Sequence, residues 1–569
     1  MSLGFVIGES KPTFVTAITS RALSVGEYIK IGSDEGEILG LVEKSAVSSA
    51  AFADVRNFDE AAESTEIAEL NKRDKTFTAH IGILGFLENL RKGQSIIPAI
   101  PPIPGTEITQ PSKQDLEEIF SPKNDGWVKI GNLLRNKTID AKVNLDKIVS
   151  RHLGILAMTG MGKSNLVSLV TKQISKLKGT VIIFDYHNDY TTLNIPRINV
   201  VDAKINPRLL DADQLSEVLE IRDGANVQQR VLRMAFTKHV KESKEFWSKL
   251  ENEVDFIVNS EDKKLKEIRT SAYRIQDIIE EAQKRFEDIL DPDMGDPISF
   301  IKEGRTNVLN ISELSEKQAN VAVAFYLQQL LKDRKDASIA RHGKSKRERN
   351  FRFNSPIFVI IEEAHVFIPK DHDTSAKYWA AKIAREGRKF GLGLGVVSQR
   401  PRSVDLNVLS QMGSFAIMKI IQEDDQRQIA SATESTSREL IAQLTSLNVG
   451  DAVLVGQWTN LPSLVHVEEV KEKIMGADQS AVNAWANAEK MKELALEYQR
   501  TRNKETLGEL IVELKPLTRH MYNQYKNILT HLDWEDLQSL GYIRLKKTLE
   551  DVEYNPELST FPYFYFLIF

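Results

Sequence analysis

The chain contains no cysteine among its 569 residues. This absence excludes disulfide bonds and thiolate metal sites, and it is typical of an intracellular protein, so we expect a cytoplasmic location. Long apolar runs are also missing, since none approaches the roughly 20 residues that a membrane-spanning helix needs. The aromatic stretch Phe561 to Phe569 is far too short. Met1 to Gly8 lacks the charged start and apolar centre of a secretory signal. We therefore expect no association with a membrane.

An excess of charge of either sign is lacking as well. The formal net charge is only −5, although 27% of the residues are charged. The protein as a whole therefore has no positive field that would attract nucleic acid. Any path for DNA must be a local lining, which a ring-shaped assembly could provide. The length predicts three or four units, because a domain usually holds roughly 100 to 150 residues.

The most informative segment that is present is rich in glycine. It reads Ala157-Met-Thr-Gly160-Met-Gly162-Lys163-Ser164 and lies between the apolar run Leu153 to Leu156 and the amphipathic stretch Ser164 to Leu177. A strand, a glycine-rich turn and a helix in this order are typical of a loop that binds the phosphates of a nucleoside triphosphate. Ala157 replaces the first glycine of the usual GxxxxGK[ST] pattern, at a place where a small residue suffices. The alternative is a glycine turn with a solvated lysine.

This loop predicts specific contacts with ATP and Mg²⁺. Backbone N–H groups would surround the phosphates, Lys163 would reach the β- and γ-phosphates, and the Ser164 hydroxyl would bind Mg²⁺. The candidate nucleotide-binding residues of the loop are Thr159, Gly160, Met161, Gly162, Lys163, Ser164 and Asn165.

Two adjacent carboxylates follow a second apolar run. Ile357 to Ile361 has the pattern of a buried strand and is followed by Glu362 and Glu363. Successive strand residues point to opposite faces, so the two carboxylates can have different roles. We predict that Glu362 binds the Mg²⁺ shell and that Glu363 polarises the attacking water. An acidic start to a helix would produce the same pair.

Polar residues follow two further apolar runs. Thr180 to Phe184 is followed by Asp185 and His187, at the position where parallel strands place ligand-binding residues. Asp185 is thus a candidate ligand of the nucleotide, although both residues could instead shape a turn. A glycine-spaced strand ends at Ser398 and Gln399, and a glutamine at a strand tip can sense a γ-phosphate.

An arginine near that strand is a candidate for charge stabilisation. Arg388 ends a predicted helix, Ser375 to Lys389, and an arginine close to a γ-phosphate stabilises the charge that develops there. Taken alone, Arg388 has the features of a surface helix charge. The case for Arg388 as a functional residue is stronger because we expect Gln399 and Glu363 to lie at the tips of neighbouring strands.

The pattern along the chain predicts five segments. Short strands between turn residues predict a small β-barrel over residues 1–110. The proline-rich stretch Ile97 to Thr106 cannot form a helix, and we expect it to be an extended strap that leads out of the barrel. An α/β nucleotide domain follows in two parts, 111–210 and 323–475, on either side of a helical insertion over 211–322. We expect a short strand, Asn307 to Ile311, inside the insertion, and a helix from Asn320 to Lys332.

The last segment, 476–569, is predicted to be a mainly helical extension. We expect helices over Ala481 to Tyr498, Glu505 to His531 and Trp534 to Gly541, then a short strand and an irregular tail from Tyr542. A small winged-helix-like unit, a packing extension and a dock for a partner all remain open.

A basic segment separates the predicted helix from the two glutamates. Eight lysines and arginines lie between Arg334 and Arg352 without an apolar stripe, which predicts an exposed loop. Contact with DNA phosphates and simple solvation would favour the same composition.

Together these motifs resemble those of the HerA family of hexameric DNA-translocating ATPases, within the broader HerA/FtsK group. The resemblance covers roughly residues 1 to 490. The matching segments are Ile100-Pro-Pro-Ile-Pro-Gly105, Arg151-His-Leu-Gly-Ile-Leu-Ala-Met-Thr-Gly-Met-Gly-Lys-Ser-Asn165, Phe184-Asp-Tyr-His-Asn-Asp-Tyr190, Ile361-Glu-Glu-Ala-His-Val-Phe367, Ile383-Ala-Arg-Glu-Gly-Arg-Lys-Phe-Gly391, Ser398-Gln-Arg-Pro401 and Leu409-Ser-Gln-Met412. One departure is Asn188-Asp189, which replaces the usual Gly-Glu.

The resemblance implies a fold and an assembly. It implies a RecA-like core behind a HAS-barrel-like amino-terminal domain, and a homo-hexamer around double-stranded DNA. It also implies that Arg151 and Arg388 act on the nucleotide of a neighbouring subunit, and that Gln399 is the sensor glutamine. A NurA-type nuclease is the implied partner, in DNA end resection and recombinational repair.

Two other functions are compatible with the sequence. One is a related motor in plasmid transfer, virus packaging or anti-phage defence. The other is a nucleotide-switched scaffold for a partner nuclease, which the complete set of Glu363, Arg388 and Gln399 disfavours.

Overall fold

Short strands with alternating buried residues begin the chain and close into a six-stranded barrel. The computed structural model describes residues 2–70, 75–222, 224–287, 289–342, 351–433, 438–470, 481–525 and 534–551. The barrel elements are β1 (Ser2–Ile7), β2 (Phe14–Thr19), β3 (Tyr28–Ile31), β4 (Ile38–Ser49), α1 (Phe58–Leu70), β5 (Lys75–Phe86), α2 (Leu87–Arg91) and β6 (Glu107–Thr109). All neighbouring strands pair antiparallel, in the order β1-β2-β5-β4-β3-β6. Buried aliphatic side chains, among them Val15, Ile29, Ile38, Ile81 and Ile108, fill the interior.

A second, larger sheet is built from the rest of the first 475 residues. Its first elements are α3 (Lys113–Phe120), β7 (Trp127–Leu133), β8 (Asn136–Asn144), α4 (Leu145–Arg151), β9 (Leu153–Leu156), α5 (Lys163–Lys176), β10 (Thr180–Asp185) and β11 (Ile198–Asp202). A group of helices follows: α6 (Ala212–Val218), α7 (Asn226–Ala235), α8 (Lys238–Glu242), α9 (Phe246–Asn259), α10 (Lys263–Lys266) and α11 (Arg269–Arg285).

The remaining elements complete the sheet. They are β12 (Thr306–Asn310), α12 (Glu316–His342), β13 (Ile357–Ile361), α13 (Ala364–Phe367), α14 (Ser375–Glu386), β14 (Leu392–Ser398), α15 (Leu406–Leu409), β15 (Ser414–Ile417), α16 (Glu423–Ala432), α17 (Arg438–Ala442), β16 (Asp451–Gly456) and β17 (Ser463–Val467). The eleven strands lie in the order β11-β12-β10-β13-β14-β9-β15-β16-β17-β7-β8. The seven from β11 to β15 are parallel, and the other four pair antiparallel. The chain is therefore an α/β protein with a largely parallel sheet.

The burial of the central strands explains their position. Every residue of β9, β10, β13 and β14 is buried, as expected for parallel strands with helices on both faces. The barrel packs on this sheet domain, since Tyr28, Leu39 and Leu41 belong to the same hydrophobic cluster as the sheet. The Tyr28 hydroxyl also donates a hydrogen bond of 3.3 Å to the Pro462 carbonyl.

The expected helical insertion is shorter in the structure than 211–322. The strand that we expected inside it is β12, which pairs with β10 and β11 in the large sheet. The helices between sheet strands accordingly run from Ala212 to Arg285. The pattern was misleading because the long α12, which follows β12 directly, has the same helical periodicity as the insertion.

The basic segment is not wholly a loop, and this corrects our expectation. Helix α12 continues to His342, and Arg334 is buried, with hydrogen bonds to the carbonyls of Phe390 (2.9 Å) and Phe353 (3.0 Å). Lys335 pairs with Glu386 at 2.5 Å, and Arg352 with Asp296 at 2.7 Å. Lys344, Lys346, Arg347 and Arg349 lie outside the described residues.

A separate compact unit, Gly476–Phe569, ends the chain. It comprises α18 (Ala481–Thr501), α19 (Lys504–Tyr525) and α20 (Trp534–Asp551). The strand expected from Tyr542 is wrong up to Asp551, since Leu545 and Leu549 lie one helical turn apart in α20 and are both buried. The described residues of this unit contain no strand, which argues against a winged-helix unit. Among the residues described in the whole chain, no helix is long and apolar enough to cross a bilayer.

Candidate active site

The residues singled out in the sequence, apart from Arg151 and Arg388, lie at one edge of the large sheet. Ala157 follows β9, Asp185 ends β10, Glu362 follows β13 and Gln399 follows β14. These four strands are parallel neighbours, in the order β10-β13-β14-β9, so their carboxyl ends meet at the same edge. The prediction that Glu363 and Gln399 follow neighbouring strand tips is confirmed.

The glycine-rich loop has the backbone that an anion site requires. Gly160 and Gly162 have φ angles of +77° and +103°, which other residues rarely adopt. A Cβ atom on Gly162 would also lie 3.3 Å from the Met418 methyl carbon. Helix α5 starts directly after Gly162, and among the described residues no side chain caps its first N–H groups. These groups remain available for a phosphate.

The start of α5 faces a group of carboxylates. The Ser164 hydroxyl donates a 3.0 Å hydrogen bond to Asp189, in the loop after β10. Burial lowers the pKa of Lys163, while the negative charges of Glu363, Glu362 and Asp189 favour its charged form. The lysine and the serine hydroxyl thus lie between the phosphate loop and the acidic residues.

Glu362 is buried and held by a tyrosine that the sequence did not point to. The hydroxyl of Tyr190, itself fully buried, donates a hydrogen bond to one carboxylate oxygen of Glu362. Burial raises the pKa of Glu362 to about 8, and the charges of Asp185, Asp189 and Glu363 act in the same direction. An ionised Glu362 therefore needs a nearby positive charge, as a bound cation would provide.

Glu363 has a buried carboxylate with a free acceptor. Its backbone is left-handed, with φ 44° and ψ 46°, and its Oε2 atom accepts no hydrogen bond from the described residues. His365 Nδ1 lies 3.2 Å from this oxygen, and burial lowers the pKa of His365 to about 4, so the ring does not form an ion pair with Glu363 at pH 7. Burial raises the pKa of Glu363, opposed by the charges of Lys163, His187 and Arg400. The free oxygen is placed to accept a hydrogen bond from water.

Gln399 contacts the phosphate loop directly. The hydroxyl of Thr159 donates a hydrogen bond to the amide oxygen of Gln399. The tip of β14 is therefore joined to the loop after its neighbour β9.

Two residues that we predicted to bind the nucleotide form side-chain hydrogen bonds with the backbone of the protein itself. The Asp185 carboxylate accepts hydrogen bonds from the N–H groups of Asp189 (2.9 Å) and Tyr190 (2.7 Å), which agrees with the turn alternative. The Asn165 amide bonds to the carbonyl of Glu468 (2.9 Å) and the N–H of Val470 (2.8 Å). Asp185 thus shapes the loop that presents Asp189 and Tyr190, and Asn165 anchors α5 to the segment after β17.

Arg151 and Arg388 lie at the opposite edge of the sheet. Arg151 ends α4, just before β9 begins, and Arg388 lies in a 3-10 turn, Gly387–Phe390, just before β14 begins. Both line a cleft of about 850 Å³. Within the described part of the chain, neither guanidinium makes a hydrogen bond or an ion pair. The structure does not bring these two arginines to the chain's own phosphate loop.

The acidic edge fits a nucleotide with a bound cation better than a free metal site. Among the described residues, no cluster of three histidine or acidic side chains is placed to hold a metal ion. A cation beside Ser164, Asp189 and Glu362 would therefore take further ligands from phosphate and water. Mg²⁺ is usually held in this way.

A loop between a strand and a helix, with a lysine and a serine at the helix start, lies beside a buried carboxylate pair. These features define a phosphate-loop nucleoside triphosphatase. Comparison with known proteins narrows the class. The family model described as "Helicase HerA, central domain" matches residues 128–330.

Relatives match over most of the chain. The DNA double-strand break repair helicase HerA of Saccharolobus solfataricus is 34% identical over 511 residues, which are 87% of this chain and 98% of that protein. The protein of the same name from Pyrococcus furiosus is 32% identical over 521 residues, covering 83% and 92%. The chain belongs to the HerA helicase family, and it is an ATPase. The solved structure of VirB4 of Thermoanaerobacter pseudethanolicus is 14% identical, with a TM-score of 0.46, and covers 62% of this chain and 99% of that one.

Proposed function

We propose that the protein is an ATP-driven translocase and helicase on double-stranded DNA. The observation that carries this proposal is the division of the sheet into two edges. One edge holds the phosphate loop and the carboxylates, and the other presents two arginines without partners among the described residues. Such a subunit is incomplete alone and becomes complete when a neighbour supplies the arginines. We therefore propose a closed homo-oligomer, a hexamer by family resemblance.

Each residue has a proposed role in hydrolysis. Loop residues 159–165 bind ATP, and Lys163 neutralises the β- and γ-phosphates. Ser164 and Glu362 would hold Mg²⁺, which balances the phosphate charge when bound. Glu363 orients the attacking water, because its free carboxylate oxygen is buried beside Lys163. Arg151 and Arg388 stabilise the developing charge on the neighbour's γ-phosphate, and Gln399 senses it.

The biological setting is proposed from the relatives. Several are named DNA double-strand break repair helicases, and this supports DNA end resection and recombinational repair with a NurA-type nuclease. We also propose that the barrel is of the HAS type, that the core is RecA-like and that the protein works in the cytoplasm.

An ATPase assay tests the proposal. ATP turnover is measured with and without blunt duplex DNA, and with and without a NurA-type nuclease, with Glu363→Gln as the inactive control. A motor requires that duplex DNA raises turnover and that labelled duplex is displaced from a roadblock in an ATP-dependent way. If duplex DNA does not change ATP turnover and ATP binding alone activates the nuclease, the protein is instead a nucleotide-switched scaffold.

The basic segment provides a separate test of DNA contact. Replacing Lys344, Lys346, Arg347 and Arg349 with serine should lower duplex affinity and the dependence of affinity on salt, since each lost phosphate contact reduces the slope by about one. The matched control replaces three exposed lysines of α10, Lys263, Lys264 and Lys266. An unchanged salt slope in the first variant would show that this segment is a solvated connector.

A further inference from the structure

His152, which follows Arg151, has a strained backbone. Its φ is 67° and its ψ is 162°. This region of backbone space is open essentially to glycine alone, and another residue stays there only where its surroundings hold it. Glycine at this position would avoid the strain. The presence of histidine therefore indicates that the imidazole ring does something that glycine could not do.

Both nitrogens of the ring are used. His152 is buried, with 2% of its surface exposed. Its Nδ1 accepts a 2.9 Å hydrogen bond from the N–H of Leu394 in β14, so this nitrogen carries no proton. Its Nε2 lies 3.1 Å from the carbonyl of Ala384 in α14 and donates to it. The two bonds fix one tautomer of a neutral ring, and burial, which lowers the pKa of His152 to about 4, keeps it neutral.

These bonds join the two parts of the chain that carry the arginines. Ala384 lies one helical turn before Arg388, at the end of α14. On the other side, the Arg151 carbonyl accepts a 2.6 Å hydrogen bond from the N–H of Gly413. A Cβ atom on Gly413 would lie 2.9 Å from the Cβ of Arg151, so the backbones are in close contact there. The backbone of Arg151 is thus held by β14, α14 and the segment before β15.

We propose that His152 is a positioning residue that holds Arg151 and the turn of Arg388 in one fixed arrangement. Both guanidiniums would then meet the γ-phosphate of a neighbouring subunit together. This inference rests on the proposed function, because it assigns Arg151 a role on another subunit's nucleotide. It adds a residue that contacts no nucleotide and acts through the two arginines.

Substitution by glycine separates the ring from the strain. His152→Gly relaxes the backbone and removes both ring bonds. Since the chain's own phosphate loop lies at the other edge of the sheet, the KM for ATP should stay within about 2-fold, while kcat falls by roughly 10-fold or more. The double variant Arg151→Ala/His152→Gly should be slower than Arg151→Ala by less than the loss that His152→Gly causes alone, because part of the effect of His152 passes through Arg151 and residues that act as a unit give non-additive losses.

The matched control is Lys178→Gly. Lys178 also has a positive φ, of 59°, but it is exposed and lies in the turn after α5. Its replacement should leave kcat at the parent value. His152→Asn replaces the glycine variant if the latter fails to fold, as judged by circular dichroism. Asparagine keeps an acceptor for the Leu394 N–H and loses the donor to Ala384, so it tests the Ala384 bond without relaxing the backbone.

Three results would overturn the inference. One is a parent kcat in the folded His152 variant, and another is a double variant whose loss equals the product of the two single losses. The third is a parent kcat for Arg151→Ala, which would also remove the proposed role of that arginine. The ATPase assignment itself is tested independently by Glu363→Gln, so its failure is distinguishable from these outcomes.

Discussion

The hydroxyl of Tyr190 donates a hydrogen bond to the carboxylate of Glu362, and both side chains are buried at the edge of the sheet that holds the phosphate loop. The two residues are far apart in the chain and meet because β10 and β13 are parallel neighbours. Tyr190 therefore fixes the orientation of the carboxylate that we assign to the Mg²⁺ shell.

Tyr190→Phe should weaken magnesium-dependent turnover while preserving the fold. The ring still fills its place, but Glu362 loses a hydrogen bond that orients it. We expect kcat to fall by roughly 10-fold and the Mg²⁺ concentration for half-maximal rate to rise. Tyr326→Phe is the control, since Tyr326 is also buried and packs edge-on against Phe184. An unchanged Mg²⁺ dependence in Tyr190→Phe would contradict this role.

Glu363→Gln should separate binding from hydrolysis. The amide keeps the shape of the side chain but is a poor acceptor for the proton of water, so turnover should fall by at least about 100-fold. ATP affinity should stay within a few-fold of the parent, whereas Lys163→Ala should lose affinity as well. Equilibrium binding of a fluorescent ATP analogue and phosphate release measure the two effects. Parent-rate hydrolysis by Glu363→Gln in the presence of DNA would show that another group is the base.

Mixing variants tests whether the arginines act between subunits. A ring of only Arg388→Ala subunits, or of only Lys163→Ala subunits, should be inactive. In mixed rings, an Arg388→Ala subunit with an intact phosphate loop can lie beside a Lys163→Ala subunit that offers Arg388, and its site is then complete. Activity should therefore recover in part, with a maximum at intermediate ratios. Recovery should fail if Arg388 serves its own chain, and labelled subunits confirm that exchange has occurred.

The same design applies to Arg151. Its guanidinium lines the same cleft as Arg388, so Arg151→Ala subunits should also regain activity beside Lys163→Ala subunits. Absence of recovery for Arg151 alone would assign it to structure rather than to the neighbour's nucleotide.

The stability of the protein should fall in mild acid because of His152. Burial lowers its pKa from the ordinary 6.5 to about 4, so between these values the unfolded chain binds more protons than the folded one. The contribution is complete above pH 6.5 and is lost as the pH falls toward 4, by on the order of 3 kcal/mol. The difference in thermal stability between the parent and His152→Asn should therefore depend on pH across this range. His365 shifts in the same direction and remains in both proteins, so the comparison isolates His152. A difference that is the same at pH 7 and pH 5 would contradict the prediction.

The sequence predicted the parts of the site that are local in the chain. The phosphate loop and the Glu362–Glu363 pair each follow a short apolar run, and the period of such runs reveals the strands. The sequence also predicted that Glu363 and Gln399 follow the tips of neighbouring strands, because parallel strands place their carboxyl ends together.

The contacts across the site could not be predicted in this way. Tyr190 reaches Glu362 because Asp185 binds the N–H groups of residues 189 and 190 and so folds their loop. No periodic pattern encodes such a turn. The separation of Arg151 from its own phosphate loop, by contrast, follows from the predicted strand Leu153 to Leu156, because residues on either side of a strand lie at opposite edges of the sheet.

Errors in the helical parts have a physical cause as well. The charged composition after Lys332 predicted a loop, but Arg334 is buried through hydrogen bonds to two carbonyls that are distant in sequence. In the last unit, Leu545 and Leu549 have helical spacing, but two leucines alone do not predict a helix. Their burial against the other helices shows that this spacing marks a helix face. Tertiary contacts decide both cases.

The shortness of β9 has a mechanical consequence. Four residues, Leu153 to Leu156, separate the end that bears Arg151 and His152 from the end that opens into the phosphate loop. At about 3.3 Å per residue this is a rod of roughly 13 Å, bonded on both sides by β14 and β15. Because these bonds fix its register on both sides, β9 cannot slide past its neighbours. The separation between the phosphate loop of a subunit and its Arg151 is therefore set by the length of one strand.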